Sequence, residues 1–147
     1  MKYSKFQNSN ESPGLLFWQA SVLWQRKIKD ALRPFDITHT QFVILAVTHE
    51  LNEVNSCVTQ NDISDFSMID VMTVSKTLRL LEKKNLITRE NHPTDTRAKR
   101  ILNTIQGEEI IKTVNPIVEA VDNEFFFSDK ETLAVFIGLL SQLKRRA

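Results

Sequence analysis

Between Thr59 and Asn103 the hydrophobic period changes once, and that change constrains the fold more than any other feature of the chain. Up to Lys84 the apolar residues recur at helical spacing; after Asn85 they follow a strand-like pattern. Thr59-Gln60-Asn61-Asp62 starts one short helix, leading into Ile63 and Phe66. Asp70 caps another, with Ile69 before the cap and Val74 four residues into the helix, placed as a hydrophobic staple. That helix buries Val71 or Val74 together with Leu78 and Leu81, and runs to Lys84. Asn85 stands where a helix-ending residue is often left-handed, a conformation Asn tolerates. Leu86-Ile87-Thr88-Arg89 and Arg100-Ile101-Leu102-Asn103 read as short strands, and the polar, turn-rich His92-Pro93-Thr94-Asp95-Thr96 joins them into a hairpin.

The flanks are helical. Thr38-His39-Thr40-Gln41 has the form of a capping box, and the helix it opens carries Phe42, Ile44, Leu45 and Val47 to about Leu51. Residues 52–58 read as a polar link containing Cys57. Earlier, Ser12-Pro13 starts a helix with proline at the first helical position, and Pro34 ends it. Between Leu15 and Leu32 that helix is apolar on so much of its surface that cover on more than one side is expected. Downstream, Ile105 to about Phe126 reads as a long helix in which Pro116 marks a kink or a boundary. Ser128-Asp129-Lys130-Glu131 reads as another capping box. It opens a last helix with Leu133, Phe136, Ile137, Leu140 and Leu143 along one stripe, and Lys144, Arg145 and Arg146 near its negative C-terminal end.

Composition excludes several function classes. A length of 147 residues suits one domain with extra helices for pairing. One cysteine cannot form an intramolecular disulfide, which fits a cytoplasmic protein or one that needs no staple. No apolar run reaches the length of a membrane span, and the N-terminal MKYSKFQNSNESPG lacks the apolar core of a signal peptide. The three glycines have no phosphate-loop or dinucleotide-fold spacing, and neither Gly-x-Ser-x-Gly nor His-Glu-x-x-His occurs. His39, His49 and His92 are too scattered to form a metal site by spacing, and no Lys, Arg or His lies within three residues of Cys57 to activate its thiol. The expectation is a non-enzyme with no cofactor and no metal.

Charge is distributed unevenly. The net charge of +1 conceals a block, residues 76–100, with eight basic side chains (Lys76, Arg79, Lys83, Lys84, Arg89, Arg97, Lys99, Arg100) against three acidic ones (Glu82, Glu90, Asp95). The chain on either side is slightly acidic. Such a block suits a face that meets an anionic polymer, or a solvated helix face followed by a charged hairpin.

Three short helices and then a hairpin is the order of a winged helix-turn-helix, so the fold class expected is mainly α with a small β-hairpin wing. In such a module the last helix enters the major groove, and the hairpin reaches the flanking backbone or minor groove. Here that helix would show Met72, Thr73, Ser75, Lys76 and Arg79. Its hydroxyls suit base edges or phosphates, and its cations suit guanine or phosphate. Thr73 and Ser75 have a second reading, as residues bonding the local backbone in the first helical turn.

The chain resembles the MarR-type (multiple antibiotic resistance regulator) transcription factors over roughly residues 15–145. The likeness lies in Val58-Thr59-Gln60-Asn61-Asp62-Ile63-Ser64, in Asp70 to Lys76, in Leu80 to Arg89, and in the wing His92 to Lys99 ending Asn103-Thr104-Ile105-Gln106-Gly107. Asp-x-Arg in the wing followed by Thr-x-x-Gly is its most recognisable stretch, and Asp36 to Phe42 resembles the family's start to its second helix. The resemblance implies a homodimeric repressor on pseudo-palindromic double-stranded operator DNA, released by a small effector. It implies a DNA-binding part at about 36–104 and dimerisation helices at 12–34 and 105–146. It implies that Arg97 reaches the minor groove, oriented by Asp95. Lys99 and Arg100 suit phosphate, or one of them only the solvent face of its strand. A surface ion pair is the alternative for Asp95 and Arg97. The family often binds phenolic or aromatic effectors near the dimer interface; Trp18, Trp24 and Phe17 could line such a pocket or belong to the core. Asn85 stands where the family often has Gly, and Asn103 where it usually has Leu, a change expected to loosen the base of the wing. The competing function is a winged-helix module that binds protein and not DNA.

Overall fold

The structure, a computed structural model, describes residues 2–147. Among them six α-helices and one antiparallel hairpin follow in the order α1 (Pro13–Leu32), α2 (His39–Val54), α3 (Gln60–Ser67), α4 (Val71–Lys83), β1 (Ile87–Asn91), β2 (Lys99–Asn103), α5 (Ile105–Phe125) and α6 (Lys130–Arg146). This is the mainly helical architecture with a two-stranded wing that the change of period predicts.

Local chemistry sets most of the boundaries. Thr38 accepts from the Gln41 amide and the Gln41 side chain accepts from the Thr38 amide, which closes the expected capping box. Thr59 and Asp62 form a second box at the start of α3, with Asp in place of the usual Glu or Gln. α2 runs to Val54, a turn beyond the expected end, because nothing between Leu51 and Val54 breaks a helix; Asn55 then leaves it extended. Asn85 is left-handed at φ 61, and Met68, closing α3, is left-handed at φ 63. The cap of α6 is Asp129, which accepts from the Thr132 amide, and not Ser128, so the cap lies one residue later than the expected box.

The chain divides into two compact units, one reaching to Ala31 and resuming at Ile117, the other Leu32–Pro116. Pro116, inside α5, stands at the boundary, where its missing N–H removes one rung of the helical ladder. The middle unit holds most of the core: Ile44, Leu45, Val58, Ile63, Val74, Leu78, Leu81, Ile87 and Ile101 are essentially inaccessible. In α4 it is Val74 that is buried, and Val71 is 40% exposed. Within the other unit Trp24 donates to Asp122 at 2.7 Å and lies 6.0 Å from the Phe126 ring, which packs on Phe136 at 5.3 Å. α6 has no buried residue, and Val135, Ile137, Leu139 and Leu143 are all more than half exposed.

The root of the wing is fixed to the helices around it. The Ile101 amide donates to the Val58 carbonyl at 2.7 Å, and Asn52 donates to the Ile101 carbonyl at 3.1 Å. The Thr104 amide donates to Leu86 O at 3.0 Å, and its hydroxyl to Asn85 O at 2.7 Å. Asn103 does not loosen the base. Its side-chain amide donates to Leu45 O at 2.9 Å and to Glu108 at 3.2 Å, tying β2 to α2 and α5. Glu108 in turn pairs with His49 of α2 at 2.8 Å.

Candidate nucleic-acid interface

The surface in question is built by α4 and the wing, with the start of α3 beside them. α4 begins at Asp70, whose carboxylate accepts from both the Thr73 amide (2.9 Å) and the Thr73 hydroxyl (2.6 Å). The hydroxyl bond is the main reason the Asp70 carboxyl is held below the usual aspartate range. Thr73 is thus the partner of the Asp70 cap in the first turn, its hydroxyl bonded to the Asp70 carboxylate and not to the backbone. Val74, Thr77, Leu78 and Leu81 bury one side of the helix. Met72, Lys76, Arg79 and Lys83 succeed one another at four-, three- and four-residue steps along the opposite side, all exposed.

The hairpin pairs Ile87 with Asn103, Arg89 with Ile101, Glu90 with Arg100 and Asn91 with Lys99. Side chains alternate across a strand, so Arg89, Asn91, Lys99 and Ile101 share one face and Glu90 and Arg100 share the other. Lys99 donates to Asn91 at 2.7 Å. Arg100 faces Glu90 at 3.7 Å, with its Nε buried and unpartnered. Arg89 is held by Glu82 of α4 through bonds of 3.3 and 3.0 Å, and this hydrogen bond keeps the Glu82 carboxyl below its usual range.

The tip is organised by two acceptors. His92 Nδ1 accepts from the Thr94 and Asp95 amides at 3.2 and 3.0 Å. Asp95 accepts from the Arg97 amide at 3.0 Å, and the Arg97 guanidinium lies 3.5 Å from the same oxygen. The Arg97 side chain is 91% exposed, so Asp95 fixes its base and leaves its charge in solvent.

Between helix and wing lies a groove of about 690 Å³. Ser75 and Arg79 line it from α4, Arg89, Lys99 and Ile101 from the strands, His92, Asp95, Arg97 and Ala98 from the tip, and Thr59, Gln60 and Asn61 from the start of α3. Of the residues that the sequence points to, Ser75, Arg79, Asp95, Arg97 and Lys99 thus converge there. Met72, Thr73, Lys76 and Arg100 do not line it; Met72 and Lys76 lie on the exposed side of α4, and Arg100 on the other face of the strand. Sequence reasoning misses Arg89 and the Thr59–Asn61 turn. Strand alternation together with the charge of the block is a signal for Arg89, whereas Gln60 and Asn61 carry no sign of the groove beyond their place in a cap.

The aromatic residues of α1 differ in exposure. Trp24 is engaged with Asp122 and Phe126, while Phe17 and Trp18 are 61% and 68% exposed. Trp18 lines a shallow groove with Gln19, Val22, Leu23 and Arg26. Cys57 is half-buried, its amide donating to Asn55. Among the described residues no three His, Cys, Asp or Glu side chains are grouped to hold a metal ion, and no helix is long and apolar enough to cross a membrane.

Comparison with known proteins places this surface in context. The MarR family sequence model matches residues 37–99. The uncharacterized HTH-type transcriptional regulator YdcH of Bacillus subtilis (strain 168) is 40% identical over 142 residues, covering 97% of each chain. Among solved structures, a mutant MarR from E. coli complexed with operator DNA superposes with a TM-score of 0.82 at 22% identity, over 95% of this chain and 99% of that one. The S. aureus MepR–DNA complex superposes with a TM-score of 0.80 at 29% identity, over 91% and 98%.

Proposed function

The chain belongs to the MarR family of transcriptional regulators, and we propose that it is a cytoplasmic homodimeric repressor of pseudo-palindromic operator DNA, released by a small aromatic effector. One observation carries the DNA-binding part of this reading: the only strongly basic block of the chain folds so that Arg79, Arg97 and Lys99 line one groove between α4 and the wing. In this reading α4 enters the major groove, where Lys76 and Arg79 take guanine edges or phosphates and Ser75 bonds at short range. Arg97 enters the adjacent minor groove from a tip that Asp95 keeps in shape. Lys99 meets phosphate. Arg100, paired with Glu90, contributes charge to the field and no direct contact.

The dimerisation helices are assigned to 12–34 and 105–146, with the DNA-binding part at about 36–104. Support comes from the large apolar residues that α1 and α6 leave in solvent, among them Phe17, Leu23, Ile137 and Leu143. Two recognition helices related by a two-fold axis would match half-sites about one helical turn apart, and an effector that changed their spacing would release the operator.

The test is selection of genomic fragments by the purified protein, followed by affinity measured against salt. The expected result is a selected pseudo-palindrome whose log K falls steeply with log salt, by about 0.9 per phosphate neutralised. Absence of a selected sequence at low salt would reject this reading and leave the basic block to an acidic protein partner.

A further inference from the structure

The first turn of α4 presents base edges with very little that can hydrogen-bond. Recognition helices contact base edges mainly through their N-terminal residues. Here those residues are Val71, Met72 and Thr73, behind the cap Asp70. The polar groups of the turn satisfy one another: both Asp70 oxygens accept from Thr73, and the Thr73 hydroxyl proton is given to Asp70. Beyond that bonded pair, the side chains the turn leaves on the surface are apolar. Val71 is 40% exposed and Met72 68% exposed. Met72 heads the same outward stripe as Lys76, Arg79 and Lys83, so a duplex held by those cations has Met72 against it.

A thioether or a branched alkyl group has no use against a phosphate. On the major-groove floor of unmodified DNA it has one complementary feature, the C5-methyl group of thymine. We propose that Met72, with Val71 beside it, reads thymine methyl groups in each operator half-site, so that this end of the helix selects sequence by apolar contact and not by hydrogen bonds. The inference rests on the DNA-binding reading given above and adds to it the kind of base recognised and the residues responsible. The flexible Met side chain reaches across the groove floor, while Val71 lies nearer the buried side of the helix.

The experiment replaces single thymines of the selected operator with deoxyuridine, which removes the methyl group and leaves every hydrogen-bonding atom in place. Binding of the full chain is measured at fixed salt. At one or two positions per half-site the natural protein is expected to lose about fourfold in affinity, the effect of one methyl group returned to water. Met72→Ala should bind the thymine and deoxyuridine operators equally at the position Met72 covers, and Met72→Leu should keep the preference. Both changes are at an exposed site, so folding is not at stake. Uniform indifference to deoxyuridine, or a thymine preference unchanged in Met72→Ala and Val71→Ala, overturns the inference while leaving operator binding intact. Absence of any selected operator overturns both.

Discussion

Gly107→Ala tests the packing that joins the wing to α5. Gly107 lies in the first turn of α5, and its amide donates to the Thr104 hydroxyl at 3.0 Å. A Cβ built there would collide with the Leu86 carbonyl oxygen and stand 3.2 Å from the Leu86 carbonyl carbon. That carbonyl is not free to move, because its oxygen accepts from Thr104 at 3.0 Å while the Leu86 amide donates to Leu81 at 2.9 Å. In an open helix the same substitution stabilises by about 1 kcal/mol. Here it adds an overpacking cost of about 1–3 kcal/mol and strains a hydrogen bond contributing about 1 kcal/mol. The net expectation is a loss of about 1–3 kcal/mol, which lowers the melting temperature by roughly 3–10 °C for a chain of this size. Gly14 and Gly138, also helical, have nothing within 4 Å of the place a methyl group would take and serve as controls. Their alanine variants should be neutral or gain up to about 1 kcal/mol. Thermal melts at one protein concentration, followed by circular dichroism, read all three. A Gly107→Ala protein melting at or above the natural one, with both controls behaving as stated, would refute the steric argument.

Further expectations concern the tip, the cap and the wing base. Arg97→Ala should weaken operator binding at matched salt and leave the melting temperature within about 3 °C, since an exposed ion pair contributes only ~0–1 kcal/mol; unchanged affinity would sink the wing assignment. Asp70→Ala should lower the melting temperature at neutral pH. The Asp70 carboxyl is held below its unfolded value by Thr73, so its contribution is present above the ordinary aspartate range and fades as pH falls through the folded value; a gap between variant and natural protein that widens in acid contradicts this. Asn103→Asp should destabilise more than Asn103→Ala at pH 7, because it sets a carboxylate against Glu108 and the Leu45 carbonyl. Urea titrations at pH 7 and pH 4 should show the excess shrinking in acid. Trp24→Phe removes a bond to a carboxylate and should cost about 1–2 kcal/mol, read as a shift of the urea midpoint.

Features set by neighbouring residues are legible in the chain, and features set by distant ones are not. The caps at Thr38, Thr59 and Asp70 each need only four residues of sequence, and each forms where the sequence puts it. At Ser128-Asp129 two good capping residues stand side by side, and local chemistry alone does not choose between them. The same holds for Val71 and Val74, three positions apart on α4, where only the packed core decides which goes inside. Asn103 misleads a local reading because the acceptor that holds it, Leu45 O, lies 58 residues away. The basic block announces the groove, but strand register decides that Lys99 faces it and Arg100 does not. The turn Thr59–Asn61 reaches the groove only through the tertiary fold.

The anchored root of the wing has a consequence for how such hairpins change. Bonds to Val58, Asn52, Leu45 and Asn85 immobilise the base, so the hairpin behaves as a cantilever whose only adjustable dimension is its length. Each residue pair added carries the tip about 3.4 Å outward and also turns the following side chains to the opposite face. An odd number of added pairs would therefore swing Arg97 away from α4, and an even number would keep it on the same side. The shortest extension that preserves the face is two pairs, about 7 Å, a distance close to two base-pair steps. A wing fixed in this way lengthens in coarse increments, and a lineage that needs a slightly longer reach has to obtain it from the tip side chain and not from the strands.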